Sequence, residues 1–135
     1  MGFRQRLALS AFALTMVAII AIPYCLAQEK DKAAKMLRHM VMFKFKDTSS
    51  KEDVQKVVDA FRSLKSSIPT IAAFEYGTNN SPEGLDNGFT HCFLVTFKSE
   101  ADREVYLPHP QHKAFVDVLK PHLDKVQVLD YWAAE

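Results

Sequence analysis

The sequence predicts an α+β domain of the ferredoxin-like type, a four-stranded antiparallel sheet with helices on one face. Strand-like and helix-like segments follow one another in the order β-α-β-β-α-β, which is typical of this fold. Apolar residues make up 48% of the 135-residue chain, so one core can form and the bulk of the chain is not disordered. The formal net charge of +1 excludes the strongly basic surface that nucleic-acid binding requires.

The first strand and the first helix have the clearest patterns. Residues 36–45 alternate with period two, which predicts a strand. Its inward face would carry Leu37, His39, Val41, Phe43 and Phe45. Ser49 followed by Glu52 forms a capping box, so an amphipathic helix is expected to begin there. This helix should end near residue 66, because Pro69 disfavours a helical residue ahead of it.

The rest of the chain completes the predicted order with weaker signals. The expected elements are a strand at 71–78, a loop at 79–88, a strand at 90–98, a helix at 99–107, a helix at 111–119 and a strand at 125–132. Pro108 and Pro110 divide the second helical region, and Pro121 ends it, because proline lacks the N–H that a helix interior needs.

The outward face of this sheet is predicted to be apolar rather than polar. The residues expected there are Met40, Met42, Phe74, Tyr76, Cys92, Leu94, Leu129 and Tyr131. Such a patch left in water would be unusual for a monomer. We therefore expect a two-fold homodimer whose sheets meet face to face. The predicted interface residues are Met40, Met42, Leu94, Leu129 and Tyr131.

Residues 1–27 have the composition of a secretory signal peptide. Two arginines precede an uncharged apolar run at 7–22, and small residues end the segment at Ala27. Cleavage after Ala27 would leave two segments, a polar linker at 28–35 and a domain at 36–132. The protein is therefore expected to be exported, to the periplasm or the medium.

Two other interpretations of this segment stay open. Residues 7–27 approach the length of a membrane-spanning helix, so an uncleaved anchor is the main alternative. Cys25 could be the lipidated residue of a lipoprotein, although Tyr24 is larger than the residues usual before such a cysteine. After cleavage only Cys92 would remain, which excludes an internal disulfide.

Several motifs of the domain resemble those of one family. The domain opens with LRHMVMFKFKD at 37–47, and YLPHPQHKAF follows at 106–115. Shorter matches lie at 76–77, 81–85, 88–91 and 130–131. Together they resemble the stress-responsive A/B barrel domain family, also called Dabb, over residues 36–132. The resemblance implies a dimeric α+β barrel, in agreement with the apolar outward face.

The resemblance implies two kinds of function. Many family members are known only as stress-induced proteins. One branch closes a linear polyketide into an aromatic ring by aldol chemistry without a cofactor, using a tyrosine and a histidine of one Tyr-x-x-His-Pro-x-His segment. Those positions are Tyr106 and His112 here, and a further pocket histidine of that branch corresponds to His39. The export signal and the small Val57 and Val58 depart from the cyclase branch.

The chemistry of these side chains leaves a catalytic and a structural interpretation open. His112 follows Pro110 near a helix N-terminus, where the positive partial charge keeps an imidazole neutral and able to act as a general base. It could instead fix the turn by packing or capping. The Tyr106 hydroxyl could hold an enolate oxygen, or its ring could simply pack. His39 could equally be a core histidine, and His109 could order the turn between its two prolines.

A small apolar or carbonyl ligand is expected between sheet and helices, in a pocket open near residues 108–111. The predicted ligand contacts are His39, Val41, Phe61, Phe93, His109 and Phe115. The enzyme hypothesis with a pocket at this place fails if side chains such as Phe61 and Phe115 fill the space. No cofactor is expected, because there is no phosphate-binding glycine loop, and no metal, because His109 and His112 lack the spacing of common zinc sites.

Two functions therefore remain after the sequence is read. One is a homodimeric ligand-binding or stress-associated module without catalysis. The other is a cofactor-independent cyclase, isomerase or lyase that uses Tyr106 and His112.

Overall fold

The computed structural model describes residues 35–134, so the predicted signal peptide and nearly all of the linker lie outside the described residues. The elements are β1 (Leu37–Phe45), α1 (Lys51–Ser67), β2 (Ala73–Thr78), β3 (His91–Phe97), α2 (Glu100–Tyr106), α3 (Pro110–Leu119) and β4 (Leu123–Trp132). The strands form one antiparallel sheet in the order β2-β3-β1-β4, which confirms the predicted ferredoxin-like fold. None of the helices in this part of the chain is long and apolar enough to cross a membrane.

Serine caps begin the first two helices. Ser50 caps α1, because its hydroxyl oxygen accepts the N–H of Asp53 at 3.1 Å. The predicted cap, Ser49, is therefore wrong by one residue, and its hydroxyl lies 3.1 Å from Nδ1 of His122 instead. Ser99 caps α2 as predicted, accepting a backbone N–H of the first turn at 3.1 Å.

Aromatic rings fill the space between the sheet and the helices. Phe43 and Phe93 project from β1 and β3, and Phe61 and Phe115 project from α1 and α3. The rings of Phe61 and Phe115 stack with centroids 4.3 Å apart, and Phe61 lies 4.7 Å from Phe93. All four side chains are buried. Since burying a side chain of this size stabilises a fold by about 1.5–3 kcal/mol, this aromatic cluster is a large part of the core.

The outward face of the sheet differs from the prediction at β2. Phe74 pairs with Val95 and Tyr76 pairs with Phe93, and directly paired residues of antiparallel strands share a face. Because Val95 and Phe93 are core residues, Phe74 and Tyr76 also face the helices. Their predicted place on the outward face is wrong, and Glu75 takes it.

The other three strands follow the predicted pattern on the outward face. Met40 pairs with Leu94 of β3 and with Leu129 of β4, so these apolar side chains lie together at the centre of that face. We call this set the outward apolar cluster, and its members are Met40, Met42, Cys92, Leu94, Leu129 and Tyr131. Because Phe74 and Tyr76 of β2 are not on this face, the cluster is smaller than predicted. It is still continuous across β3, β1 and β4.

Strand β4 is an edge strand whose two faces are both partly open. Val126 and Val128 on the helix side are 48% and 46% exposed, and Leu129 on the outward side is 46% exposed. β4 pairs along its length with the central strand β1, so the two ends of the domain meet. At that point the N–H of Ala133 donates to the carbonyl of Met36 at 2.9 Å.

Candidate active site

Three of the side chains singled out in the sequence meet where α2 turns into α3. Tyr106 is the last residue of α2, and His112 lies in the first turn of α3. The two ring centroids are 4.4 Å apart. His39 projects from β1 toward the same place, with its ring centroid 5.8 Å from that of Tyr106. The predicted grouping of these three residues is present in the structure.

The Tyr106 hydroxyl is buried without a hydrogen-bond partner. The side chain is 0% exposed, and no group in the described part of the chain bonds its oxygen. A buried polar group left unpaired costs about 1–3 kcal/mol, so most such groups in proteins have a partner. Burial raises the pKa of Tyr106 far above its ordinary value. The phenol therefore stays protonated at neutral pH and can donate a hydrogen bond.

His112 is held in one orientation through its Nδ1 atom. This nitrogen lies 2.9 Å from the carbonyl oxygen of Leu107, which can only accept, so Nδ1 carries the hydrogen. In the neutral ring Nε2 is then a free acceptor. Burial lowers the pKa of His112; the hydrogen bond to Leu107 partly opposes this, and the nearby His39 and His109 lower the pKa further. The sequence predicted a neutral imidazole from the helix N-terminus, whereas burial is the main cause in the structure.

His39 belongs to a hydrogen-bonded chain that crosses three elements. Its Nδ1 lies 2.6 Å from Oδ1 of Asp130 on β4, and Oδ2 of the same carboxylate accepts from Arg103 of α2 at 2.9 Å. A carboxylate only accepts, so Nδ1 of His39 is the protonated nitrogen. His39 is 6% exposed, which makes it one of the few buried polar residues of the domain.

Sequence reasoning missed Asp130 and Arg103 as members of this site. Asp130 was noted only within the family motif at 130–131, although pairing of β4 with β1 places it directly opposite His39. A correct register for the last strand would have found it. Arg103 belongs to none of the motifs found in the sequence. Its contact with Asp130 depends on how α2 lies over the sheet.

The other predicted ligand contacts are structural in this conformation. Val41, Phe61, Phe93 and Phe115 lie within the buried core, so the space predicted for a pocket under α1 and α3 is filled by side chains. His109 caps α3, with its Nδ1 accepting the N–H of Gln111 at 3.2 Å. This is the turn-ordering role that was the alternative for His109.

A cavity of about 530 Å³ lies on the opposite face of the sheet, away from Tyr106. It opens beneath the β2–β3 loop, and its walls include Met42, Cys92 and Gln127. Burial raises the pKa of the Cys92 thiol, which lowers the share of reactive thiolate. Residues 35–134 contain no cluster of three or more His, Cys, Asp or Glu side chains that could hold a metal ion.

Comparison with known sequences identifies related proteins. A family model described as Stress responsive A/B Barrel Domain matches residues 37–133. Stress-response A/B barrel domain-containing protein HS1 of Arabidopsis thaliana is 34% identical over 101 residues, which cover 75% of this chain and 93% of that protein. Olivetolic acid cyclase of Cannabis sativa is 27% identical over 95 residues, which cover 70% of this chain and 94% of the cyclase.

Solved structures with the same fold include an enzyme and a dimer. Hydroxynitrile lyase from Passiflora edulis superposes with a TM-score of 0.71 at 27% sequence identity, covering 76% of this chain and 96% of the lyase. A dimeric protein of unknown function from Bacteroides fragilis, with a ferredoxin-like fold, superposes with a TM-score of 0.60 at 25% identity. That alignment covers 73% of this chain and 96% of the other.

Proposed function

The chain belongs to the stress-responsive A/B barrel domain family, and on that premise we propose that it binds a small carbonyl compound and performs acid–base chemistry on it without a cofactor. The observation that carries this proposal is the buried hydroxyl of Tyr106, which no described group bonds. A ligand oxygen placed at this hydroxyl would supply the missing partner and recover the free energy that burial costs.

The imidazole of His112, 4.4 Å from the Tyr106 ring between centroids, gives this position a means of moving a proton. The Tyr106 hydroxyl would donate to the carbonyl oxygen of the ligand and stabilise negative charge that develops there. His112, neutral at pH 7 and with Nε2 free, would accept a proton from the carbon beside the carbonyl or from the hydroxyl of a cyanohydrin. In enolisation the proton on Nε2 exchanges with water before a proton returns to the carbon. In cyanohydrin cleavage the C–CN bond breaks, the ligand oxygen becomes a carbonyl, and the proton leaves with cyanide as HCN. Neither reaction changes an oxidation state, so no cofactor is needed.

Two relatives support an enzymatic interpretation of the site. One is named a cyclase and the other a hydroxynitrile lyase, and this chain covers nearly the whole length of both. Because the two differ in reaction, we draw from them only the class of chemistry, proton transfer at a polarised carbonyl.

The experiment uses two probes that share this chemistry. Cleavage of mandelonitrile tests a cyanohydrin reaction, and exchange of the α-protons of acetophenone in D2O tests enolisation. We expect turnover of at least one probe, reduced by a factor of about 10² or more in both Tyr106→Phe and His112→Ala. Tyr76→Phe and His122→Ala are matched controls, because neither residue belongs to the site formed by Tyr106, His112 and His39. Both variants should retain the wild-type rate.

The opposite result would favour the module without catalysis. Neither probe would then be turned over. Shifts of the Tyr106 or His112 NMR signals on addition of benzaldehyde would indicate a ligand-binding module, and unchanged signals a module that does not bind this ligand. A specific observation supports this second function: Phe61 and Phe115 stack in the core and fill the space where a pocket was predicted. The enzymatic proposal therefore requires a path to Tyr106 other than this filled space.

We also propose that the protein is a homodimer joined through the outward apolar cluster. The support is the apolar character of that face, together with the description of the related Bacteroides fragilis protein as dimeric. Leu129→Glu should convert the dimer to a monomer in sedimentation velocity, since it places a charge at the centre of the cluster. Val118→Glu, on the exposed side of α3, is the control and should remain dimeric. A dimeric Leu129→Glu variant would contradict this interface.

Export is proposed from the composition of residues 1–27 alone. N-terminal sequencing of protein recovered outside the cytoplasm should give a start at Gln28. Recovery of the intact chain from the membrane fraction would instead support the uncleaved anchor.

A further inference from the structure

The ion pair between Arg103 and Asp130 has no role in the function proposed so far. Arg103 donates to Oδ2 of Asp130 at 2.9 Å, while Oδ1 of the same carboxylate bonds Nδ1 of His39 at 2.6 Å. The side chains of the ion pair are 22% and 32% exposed, so both are sheltered without being sealed from water. One carboxylate thus uses each oxygen for a different partner.

We infer that Arg103 is a positioning residue that fixes the orientation of Asp130 and, through it, the tautomer of His39. Without the guanidinium, the Asp130 side chain, which is 32% exposed, can turn toward water and leave Nδ1 of His39 without its acceptor. The guanidinium removes that freedom by taking Oδ2, so Oδ1 remains directed at Nδ1 of His39. Whenever the His39 ring carries a single hydrogen, that hydrogen is therefore held on Nδ1, and Nε2 is the acceptor.

Because Arg103 lies on α2, the residue that orients Asp130 and His39 is on the same helix as Tyr106. The two residues are three positions apart on one helix, so they lie on the same helix face. Tyr106 contacts the ring of His39 while Arg103 holds the carboxylate that orients that ring. One short helix thus positions the Tyr106 hydroxyl that would bind the ligand, and through Arg103 and Asp130 it also sets which nitrogen of His39 carries the hydrogen.

The inference rests on the proposed function for its significance, but its test needs no ligand. Imidazole nitrogen shifts of His39, measured by long-range proton–nitrogen NMR on protein produced from the full-length chain, report which nitrogen carries the hydrogen. In the wild type we expect the Nδ1–H tautomer alone. In Arg103→Met we expect a mixture of tautomers, with loss of the protected Nδ1 proton signal. In Arg103→Lys the wild-type pattern should return, because a single donor contact to Oδ2 suffices.

Arg62→Met is the matched control. It removes another Arg–Asp ion pair, with Asp59 at 3.1 Å, from an exposed helix face remote from His39. This variant should leave the His39 signals unchanged. If Arg103→Met lowers stability and yet keeps the Nδ1–H tautomer, the ion pair is only a structural link between α2 and β4 and the inference is overturned.

The same variants separate this inference from the proposed function. If acetophenone exchange occurs, Arg103→Met should slow it by roughly tenfold, by analogy with the loss seen when the outer partner of a metal-bound histidine is removed. A tautomer change without any turnover in the wild type would uphold the positioning role and reject the proposed chemistry. Turnover with an unchanged tautomer in Arg103→Met would do the reverse.

Discussion

Replacing Tyr106 with phenylalanine should make the domain more stable. Deleting a buried hydroxyl normally breaks a hydrogen bond, but the Tyr106 oxygen has no partner within the described residues. Phenylalanine keeps the ring contacts with Phe97, at 5.1 Å between centroids, and with His112, at 4.4 Å. The variant therefore loses the desolvation cost of the hydroxyl and little else.

The expected size of this effect follows from the burial of the oxygen. An unsatisfied buried hydroxyl costs about 1–3 kcal/mol, so the free energy of unfolding should rise by about 1–2 kcal/mol. For a domain of this length, each kcal/mol corresponds to a Tm change of roughly 4–8 °C. Tyr76→Phe is the control, since its ring is 48% exposed, and it should stay within about 0.5 kcal/mol of the wild type.

Urea unfolding at a fixed protomer concentration is the appropriate assay, because dimer formation makes stability depend on concentration. The slope with denaturant should be unchanged, so that a shift in midpoint reports stability alone. A loss of about 1 kcal/mol or more in Tyr106→Phe would refute the reasoning. It would mean that the hydroxyl is satisfied in solution and is not an open position for a ligand.

Three further predictions concern the core, a cap and a titration. Phe61→Ala should cost about 3–5 kcal/mol in urea unfolding, because it removes the ring at the centre of the aromatic cluster; a loss below about 1 kcal/mol would contradict that placement. Ser50→Ala should lower the free energy of unfolding by about 1 kcal/mol and Ser49→Ala by less, reversing the order that a Ser49 cap would give. Burial lowers the pKa of His112 in the folded state, so the unfolded chain binds its proton first. Stability should therefore be full above the ordinary histidine pKa and decline as the pH falls below about 6.5; His112→Asn should flatten this decline, whereas His122→Asn should not.

Alternation alone was sufficient to predict β1, and it failed to orient β2. In β1 every second residue except His39 is apolar, while the intervening face includes Arg38 and Lys44, so one orientation is favoured. In β2 the aromatic residues flank a single glutamate on a strand of only six residues. Either face could have been buried, and the pairing of Phe74 with Val95 decides between them. That pairing is a long-range contact which no local pattern contains.

The candidate site shows the same division between local and long-range information. Tyr106 and His112 are six positions apart in one motif, so their proximity could be predicted from the turn between their helices. His39 and Asp130 are far apart in the chain, and their contact depends on the pairing of β4 with β1. Arg103 depends in addition on the position of α2 above the sheet. The membership of Asp130 could therefore be predicted only from the strand pairing, and that of Arg103 only from the strand pairing together with the position of α2.

The pairing of β1 with β4 also sets the order in which the domain can form during synthesis. β1 is central, yet one of its two partners is the last strand of the domain, and Leu37 pairs with Trp132. A chain that emerges N-terminus first therefore exposes a strand whose partner does not yet exist. The sheet can close only when residue 132 has left the ribosome. Until then the edge of β1 that will pair with β4 lacks its partner, so factors that bind unfolded chains can engage that edge throughout synthesis.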